Sequence, residues 1–191
     1  MSKMTARISL ASLSSLTFTL LLVLLGTWVE QTSAFSNQYT LQRVLLRTTP
    51  EEAYLRCLQG WREDNFNFRL LPDPIIRDRG DEETGVGFEL IRIFPPGLRE
   101  AITNHTVTEN GDWSMTYTML NPSILNYPVK EYVATISFLA GENQQGSQAA
   151  TIVYEANYTP LPLLGPIANL LIRFVVGTIT DYIAEVDQQR R

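Results

Sequence analysis

Cysteine and histidine are nearly missing from this chain of 191 residues, which holds one of each, Cys57 and His105. A lone cysteine forms no internal disulfide, and the pair does not supply the ligands of a zinc or iron–sulfur site. A Cys57–His105 catalytic pair is the remaining option, but Cys57 lies in an apolar helical pattern typical of a buried structural thiol. We therefore predict no metal site, no cofactor and no nucleophile–base set, and a surface position for His105.

Basic residues are few and scattered. The chain has 15 Lys and Arg against 20 Asp and Glu, which gives a formal net charge of −5. Because binding to a phosphate backbone requires a concentrated basic surface, we expect no nucleic-acid partner. The composition, 45% hydrophobic and 18% charged, is that of a folded domain.

Charge is absent from residues 8–29, which follow the basic start "MSKMTAR" and precede the small-residue site "TSA". This order is typical of a signal peptide cleaved after Ala34. The uncharged stretch is also long enough for an uncleaved anchor, since a span needs about 20 residues. Serines in its first half shorten the apolar part and favour cleavage. We predict a signal peptide or membrane anchor at residues 1–34, and export to an extracytoplasmic or lumenal compartment.

Two features would matter in a eukaryotic source. The junction "TSAF" resembles the Ala-Phe cleavage motif of plastid signals in algae with complex plastids. Folded-looking sequence starts soon after it, so the algal plastid is the alternative location. The triplets at Asn104 and Asn157 would be glycan acceptors.

The first part of the mature chain predicts a strand and then a helix. "YTLQRVLLR" alternates as a strand does, and "TTPEEAYLRCLQGW" is a strong helix start. Thr49 is placed to cap the helix, Pro50 to occupy its first position, and the two glutamates to face the positive end of its dipole. We expect Gly60 to end this helix, and a second short helix in "REDNFN".

Hairpin-linked strands follow. Asn110-Gly111 is the strongest hairpin signal in the chain, and "WSMTYTM" places Trp113, Met115 and Tyr117 on one face. "KEYVATISFLA" and "QAATIVYEANYT" form a further pair around a Gly-containing turn. Five or more strands joined in this way predict an antiparallel meander.

The last apolar segment predicts an amphipathic helix of about 20 residues rather than a membrane span. Arg173 falls in its middle and three prolines interrupt its start, and a charge at mid-bilayer costs about 2.5–3.5 kcal/mol. Apolar residues recur at helical spacing, and we expect them to face the sheet: Ile167, Leu170, Leu171, Phe174, Val175, Ile179, Tyr182, Ile183 and Val186. The other face would carry Asn169, Arg173, Thr180, Asp181 and Glu185.

This order resembles the START, polyketide cyclase-dehydrase and lipid-transport (SRPBCC) superfamily. "TTPEEAYLRCLQGW" stands where that superfamily has its first helix, and "GVGFELIRIFPPGLREAITNHTVTENGDWSMTYTML" resembles its central hairpins. "YPVKEYVATISFLAGENQQGSQAATIVYEANYTP" resembles its last strand pair. The resemblance implies an α+β helix-grip fold for residues 35–191. In this fold a curved antiparallel sheet of about seven strands wraps a long C-terminal helix, with two short helices after strand 1.

The resemblance also implies a function, because the long helix of these proteins grips the sheet around an apolar cavity. We expect the cavity to bind a lipid, an isoprenoid or a polyketide-like molecule. Its expected lining residues alternate along the strands and continue on the helix: Phe88, Leu90, Met115, Tyr117, Tyr132, Ile136, Ile152, Tyr154, Leu170, Leu171 and Phe174. For each residue, ordinary core packing is the alternative.

Two other functions stay open. A cyclase- or dehydrase-type enzyme would use a few acid–base groups of the pocket, and the candidates are Glu89, Arg92, Tyr117, Tyr154 and Glu155. Strand alternation turns both glutamates outward, which disfavours them. A non-catalytic module that docks a partner through the C-terminal helix is the third hypothesis. We expect a monomer, with membrane contact limited to the N-terminal segment.

Overall fold

A computed structural model describes residues 37–63, 66, 74–92, 97–123, 127–142, 146 and 148–189. They all belong to one compact unit, Ser36–Arg191. The predicted signal peptide or anchor lies outside the described residues. The strands are β1 (Asn37–Leu45), β2 (Pro74–Arg79), β3 (Phe88–Arg92), β4 (Leu98–Val107), β5 (Trp113–Met119), β6 (Val129–Glu142) and β7 (Gln148–Pro160). The helices are α1 (Pro50–Glu63) and α2 (Gly165–Gln189).

The strands form one antiparallel sheet in the order β1-β7-β6-β5-β4-β3-β2. Strands β2 to β7 are a meander of neighbours, as predicted, and β1 closes the other edge by pairing with β7. At the predicted Asn-Gly hairpin between β4 and β5, the Gly111 N–H donates to the Thr108 carbonyl at 3.0 Å, and Gly111 has a φ of 82°. Glycine suits this turn because it adopts positive φ without strain.

Helix α1 begins as the sequence predicts. The Glu52 N–H donates to Thr49 Oγ1 at 3.2 Å and the Thr49 N–H donates to a Glu52 carboxylate oxygen at 3.0 Å, which is a reciprocal capping box. The expected end at Gly60 is wrong, because the helix continues to Glu63. A Cβ at residue 60 would lie 2.3 Å from the Phe66 ring, so this glycine makes room for a neighbour inside the helix.

The helix therefore extends into the segment where we expected a second short helix. Of that segment, residues 64, 65 and 67 lie outside the described residues. The confirmed architecture is the seven-stranded antiparallel sheet with one helix after β1 and a long C-terminal helix.

Helix α2 packs on α1, β1 and β7. It is long and apolar enough to cross a membrane by length and composition, and half of its apolar stretch is buried inside the protein. The expected inner face is partly wrong: Ile167, Leu170 and Phe174 are 52%, 69% and 38% exposed. The buried positions are Ala168, Ile172, Val175, Val176, Ile179, Thr180, Tyr182, Ile183 and Ala184.

The reason for this correction is close packing. Small side chains occupy inward positions at Ala168, Ala184 and Thr180, and the expected outer position of Thr180 is therefore wrong. The hydroxyl of Thr180 is satisfied within the helix, where it donates to the Val176 carbonyl at 2.9 Å. A ranking by hydrophobicity places Leu and Phe inside ahead of Ala and Thr, and so rotates the predicted face.

Candidate functional site

Three tyrosine hydroxyls meet in the interior of the protein. Tyr117 on β5, Tyr132 on β6 and Tyr154 on β7 are each at most 1% exposed. The hydroxyl oxygens of Tyr117 and Tyr132 are 2.9 Å apart and those of Tyr132 and Tyr154 are 3.0 Å apart. A third hydrogen bond joins Tyr117 to Tyr154. We refer to these three residues as the tyrosine cluster.

The register of the strands explains why the three rings converge. Tyr117 lies opposite Ala134, and Ala134 lies opposite Ala156, so this row of the sheet carries only methyl groups on β6 and β7. Tyr132 and Tyr154 stand two residues from these alanines, on the same face. Their rings and that of Tyr117 fill the space above the two methyl groups.

Aromatic residues from both helices cover the tyrosine cluster. The Trp61 ring of α1 lies 4.8 Å from the Tyr117 ring, between centroids. Phe66 meets Trp61 edge-on at 5.2 Å and meets Tyr182 of α2 edge-on at 5.2 Å. Edge contacts of this kind are favourable between aromatic rings. The sheet, α1 and α2 are therefore connected through one aromatic stack.

Burial keeps the tyrosine cluster neutral. It raises the pKa of Tyr132 to about 12, and it raises the pKa values of Tyr117 and Tyr154 well above 10. A neutral tyrosine hydroxyl donates one hydrogen bond and accepts others. The cluster can therefore offer a donor or an acceptor to a polar group without any change in charge.

A buried ion pair lies near the tyrosine cluster. Arg92 of β3 and Glu100 of β4 are 1% and 6% exposed, with 3.6 Å between Arg92 Nε and Glu100 Oε2. After burial, which is the largest cause, the charge of Glu100 also contributes to raising the pKa values of Tyr127 and Tyr132. Sequence reasoning missed Glu100. Alternation in "LREAI" could have found it, since it shares a face with Leu98 and Ile102.

The eight strand residues expected to line a cavity all lie on the inner face, at 0–1% exposure. They are Phe88, Leu90, Met115, Tyr117, Tyr132, Ile136, Ile152 and Tyr154. At that exposure they contact protein atoms, so a ligand that touches them must displace packed side chains. Of the three helix residues, Leu171 packs against the core, while Leu170 and Phe174 are on the outer surface, which corrects their expected position.

The proposed acid–base candidates separate by face. Arg92, Tyr117 and Tyr154 are buried on the inner face. Glu89 is on the outer face, where it accepts hydrogen bonds from Arg99 Nε at 2.7 Å and Arg77 Nη1 at 3.1 Å. The Arg99 hydrogen bond is the largest cause that lowers the pKa of Glu89. Glu155 also alternates outward between buried neighbours, as predicted.

Cys57 and His105 occupy structural positions. Cys57 is buried, with its sulfur 3.9 Å from the sulfur of Met115, and burial raises the pKa of its thiol. A protonated thiol is a poor nucleophile. The surface prediction for His105 is corrected, because the ring is half-buried between Tyr54 and Trp113, with centroid distances of 4.9 and 5.5 Å.

Both predicted glycan acceptors, Asn104 on β4 and Asn157 on β7, are exposed. Exposure is a requirement for glycosylation, and the modification itself stays a prediction.

A separate groove of about 270 Å³ opens at the hairpin end of the sheet. It lies between the first turn of α1 and the ends of the β4–β5 and β6–β7 hairpins. Its lining residues are Thr49, Pro50, Glu51, Asn110, Gly111, Trp113, Ala140, Gly141, Gln148 and Ala149. The tyrosine cluster is not among them.

The sheet order, the helix after β1 and the long C-terminal helix define the Bet v1-like helix-grip fold. A point mutant of norcoclaurine synthase from Thalictrum flavum, solved with a transition-state analogue, has a TM-score of 0.61 and 17% identity, covering 84% of this chain and 99% of that one. Ara h 8.0201 has a TM-score of 0.56 and 8% identity, covering 81% and 99%. XoxI from Bacillus cereus has a TM-score of 0.53 and 14% identity, covering 80% and 95%.

The TM-scores show a shared fold, and at identities of 8–17% they show the fold alone. No family model matches the chain, and no curated protein matches it either.

Proposed function

We propose that this protein binds a hydrophobic small molecule, such as a lipid, an isoprenoid or a polyketide-like compound, against the inner face of its sheet. The tyrosine cluster anchors the polar group of that ligand. Support comes from the apolar inner face and from the likeness to helix-grip proteins. Norcoclaurine synthase, one of these neighbours, has been solved with dopamine and hydroxybenzaldehyde, at a TM-score of 0.59 and 15% identity over 82% of this chain.

The observation that carries the proposal is the position of three hydroxyls in a mainly apolar interior, close to the buried Arg92–Glu100 pair. A buried polar group costs free energy unless it is hydrogen-bonded, and here each hydroxyl bonds to the other two. A ligand oxygen that enters the cluster replaces one hydroxyl–hydroxyl bond by an equivalent bond. The polar end of a ligand is therefore accepted at little net cost.

Because the inner face is closely packed, the binding free energy of a ligand must exceed the cost of displacing core side chains. Burial of apolar ligand surface contributes about 25 cal/mol per Å², so about 300 Å² contributes roughly 7 kcal/mol. Part of this free energy offsets the cost of displacing packed side chains such as Trp61 and Phe66. The site therefore favours ligands with a large apolar body and one polar group over small polar molecules.

Native mass spectrometry of the full chain from a lipid-rich host tests this proposal. We expect a bound small molecule that organic extraction recovers. Tyr154→Phe should lower its occupancy, since one lost hydrogen bond of about 1.4 kcal/mol is a tenfold loss in affinity. Tyr39→Phe is the matched control, because Tyr39 is half-buried on the edge strand β1. Ligand-free protein from several hosts would contradict the proposal.

The buried carboxylate of Glu100 favours a second candidate function, acid–base catalysis on a bound hydrophobic substrate. The Glu100 carboxylate is 6% exposed and lies beside Arg92, and a buried titratable group next to neutral tyrosines is a candidate for acid–base chemistry. Glu100→Gln keeps the shape of the side chain and removes its charge. If the protein converts a recovered ligand, this variant should still bind the ligand and lose the conversion. Equal conversion by both proteins would exclude Glu100 from catalysis.

A further inference from the structure

Four large apolar side chains form an exposed row at the start of α2. Leu163, just before the helix, is 74% exposed, and Ile167, Leu170 and Phe174 are 52%, 69% and 38% exposed. Ile167, Leu170 and Phe174 are spaced by three and four residues, which places them along one side of the first turns of α2, and Leu163 lies in the turn that precedes the helix. We refer to these four residues as the apolar stripe. Contiguous exposed apolar residues mark sites of contact with a partner or a membrane.

The apolar stripe is confined to one half of the helix. Further along, the exposed positions are acidic: Asp181 and Glu185. Asp181 is also paired with Arg43 of β1. The large exposed apolar side chains of α2 are therefore limited to its first half, where Asn169 and Arg173 are the exposed polar residues, and its second half exposes acidic residues.

The conformation of Leu163 is a second, independent observation. Its φ is 65°, in the left-handed region that side chains with a Cβ rarely adopt, and it is the one non-glycine residue with positive φ among the described residues. A leucine held there pays a steric cost that glycine would avoid. The strained conformation does not bury the side chain, which is exposed. Strain of this kind is retained where the residue has a function.

The beginning of the described chain lies beside the apolar stripe. Asn37 pairs with Tyr158 of β7, and the Tyr158 hydroxyl donates to the Asn169 side chain of α2. Asn169 stands between Ile167 and Leu170 in the sequence. Seven residues, 30–36, separate Asn37 from the uncharged stretch 8–29. A chain of seven residues spans at most about 25 Å.

The charge around the apolar stripe suits a lipid surface. Within the described helix α2, the first turn carries no acidic residue. Arg173 is exposed at the side of the stripe, with its guanidinium carbon 5.7 Å from the centre of the Tyr39 ring. A cationic group and an aromatic ring that flank apolar side chains are typical of helices that lie in the membrane interface.

We propose that the apolar stripe inserts into the interface of a lipid bilayer, and that residues 8–29 anchor the chain in the same membrane. The sequence allows residues 1–34 to be cleaved as a signal peptide or retained as a membrane anchor, and here we infer retention. The stripe sets the orientation of the domain on the bilayer. The proposal is independent of what binds to the inner face.

Fluorescence quenching in vesicles tests the proposal with the full chain. Leu170→Cys can be labelled selectively with bimane, because the native Cys57 is fully buried. In vesicles of phosphatidylcholine and phosphatidylserine with brominated acyl chains, we expect strong quenching of this label. Val107→Cys is the matched control, since Val107 is 49% exposed in the β4–β5 hairpin and should stay unquenched. Equal quenching at both positions would overturn the proposal.

The variant Leu163→Gly separates a lipid contact from a structural role. Glycine removes both the strain and the apolar side chain, so the melting temperature should hold or rise. Quenching at the Leu170→Cys label should fall in this background, because one of four inserted side chains is lost. Unchanged quenching would contradict the proposal. Cross-linking between Leu170→Cys copies, without bromolipid quenching, would assign the stripe to a second copy of the chain and also overturn it.

Discussion

Tyr117 on β5 contacts residues of three other elements, β6, β7 and α1. Its hydroxyl bonds to Tyr132 and Tyr154, and its ring lies against Trp61 of α1. Tyr117→Phe keeps the ring contact and leaves one of the two remaining hydroxyl protons without its acceptor. We expect a loss of about 1 to 3 kcal/mol in the free energy of unfolding, measured by urea denaturation.

The matched control for this variant is Tyr39→Phe, which removes a half-buried hydroxyl on the edge strand and should change the free energy of unfolding by less. In the triple variant of Tyr117, Tyr132 and Tyr154 to Phe, no polar group is left without a partner. Its cost should therefore be below the sum of the three single changes. Additive costs would contradict the description of the cluster as one hydrogen-bonded unit.

Single residues also show where sequence reasoning stops. Alternation predicted the inner-face tyrosines correctly, because the period of a strand is two whatever the tertiary context. It gave no sign that three hydroxyls from three strands would meet. Their meeting depends on Ala134 and Ala156, whose small size matters only once the register is known. Gly60 is a similar case. A side chain at this position would clash with the Phe66 ring, and the helical pattern of the sequence does not show that contact.

At the scale of the element, α1 and α2 differ in how far their sequences specify them. The start of α1 is set by contacts within four residues, Thr49 to Glu52, and was predicted correctly. The buried face of α2 is set by what the helix packs against. Small residues such as Ala168 and Ala184 turn inward, and Leu170 turns outward. A hydrophobic pattern alone does not contain that information.

The last turn of α2 is fastened to the turn after β1 by Asp187. Its carboxylate accepts the Arg47 N–H at 2.6 Å, the Leu46 N–H at 3.2 Å and the Thr48 hydroxyl at 3.1 Å. Asp187→Ala removes all three contacts and leaves the buried Thr48 without this acceptor. We expect a loss of about 1 to 3 kcal/mol in the free energy of unfolding by urea denaturation.

Asp187→Asn is the control for that experiment, because the amide keeps one acceptor oxygen and should lose less. If Ala and Asn at this position both stay within about 0.5 kcal/mol of the original chain, the end of α2 is held by other contacts.

At the scale of the whole molecule, the order of elements and the antiparallel meander were predictable, since each strand and hairpin carries its own signal. The fold class is confirmed by the sheet order and by solved helix-grip structures. The packing of the interior was not predictable. The sequence indicates which residues face inward, whereas the space that they leave depends on many long-range contacts together.

The buried tyrosines predict how the whole fold responds to alkaline pH. Their pKa values in the folded protein are raised by burial, to about 12 for Tyr132, whereas an unfolded tyrosine ionises near 10. The unfolded chain therefore releases these protons first. The stabilising contribution is complete below about pH 10 and is lost as the pH rises from about 10 to about 12.

Urea denaturation at a series of alkaline pH values measures this effect. The free energy of unfolding should fall above about pH 10, and the fall should be shallower in Tyr132→Phe. An identical slope in the variant would mean that Tyr132 does not contribute to it.

The central claim is that a hydrophobic molecule binds at the inner face, and methionine-methyl NMR tests it most directly. The chain has four methionines: Met115 and Met119 lie on the inner face, and Met1 and Met4 are internal controls at the N-terminus. With dodecanol, farnesol and oleate as probes, we predict saturable shifts of the Met115 and Met119 methyl signals by at least one probe, with those of Met1 and Met4 unchanged. Inner-face signals that stay fixed with every probe, or that move only together with Met1 and Met4, would contradict the proposed function.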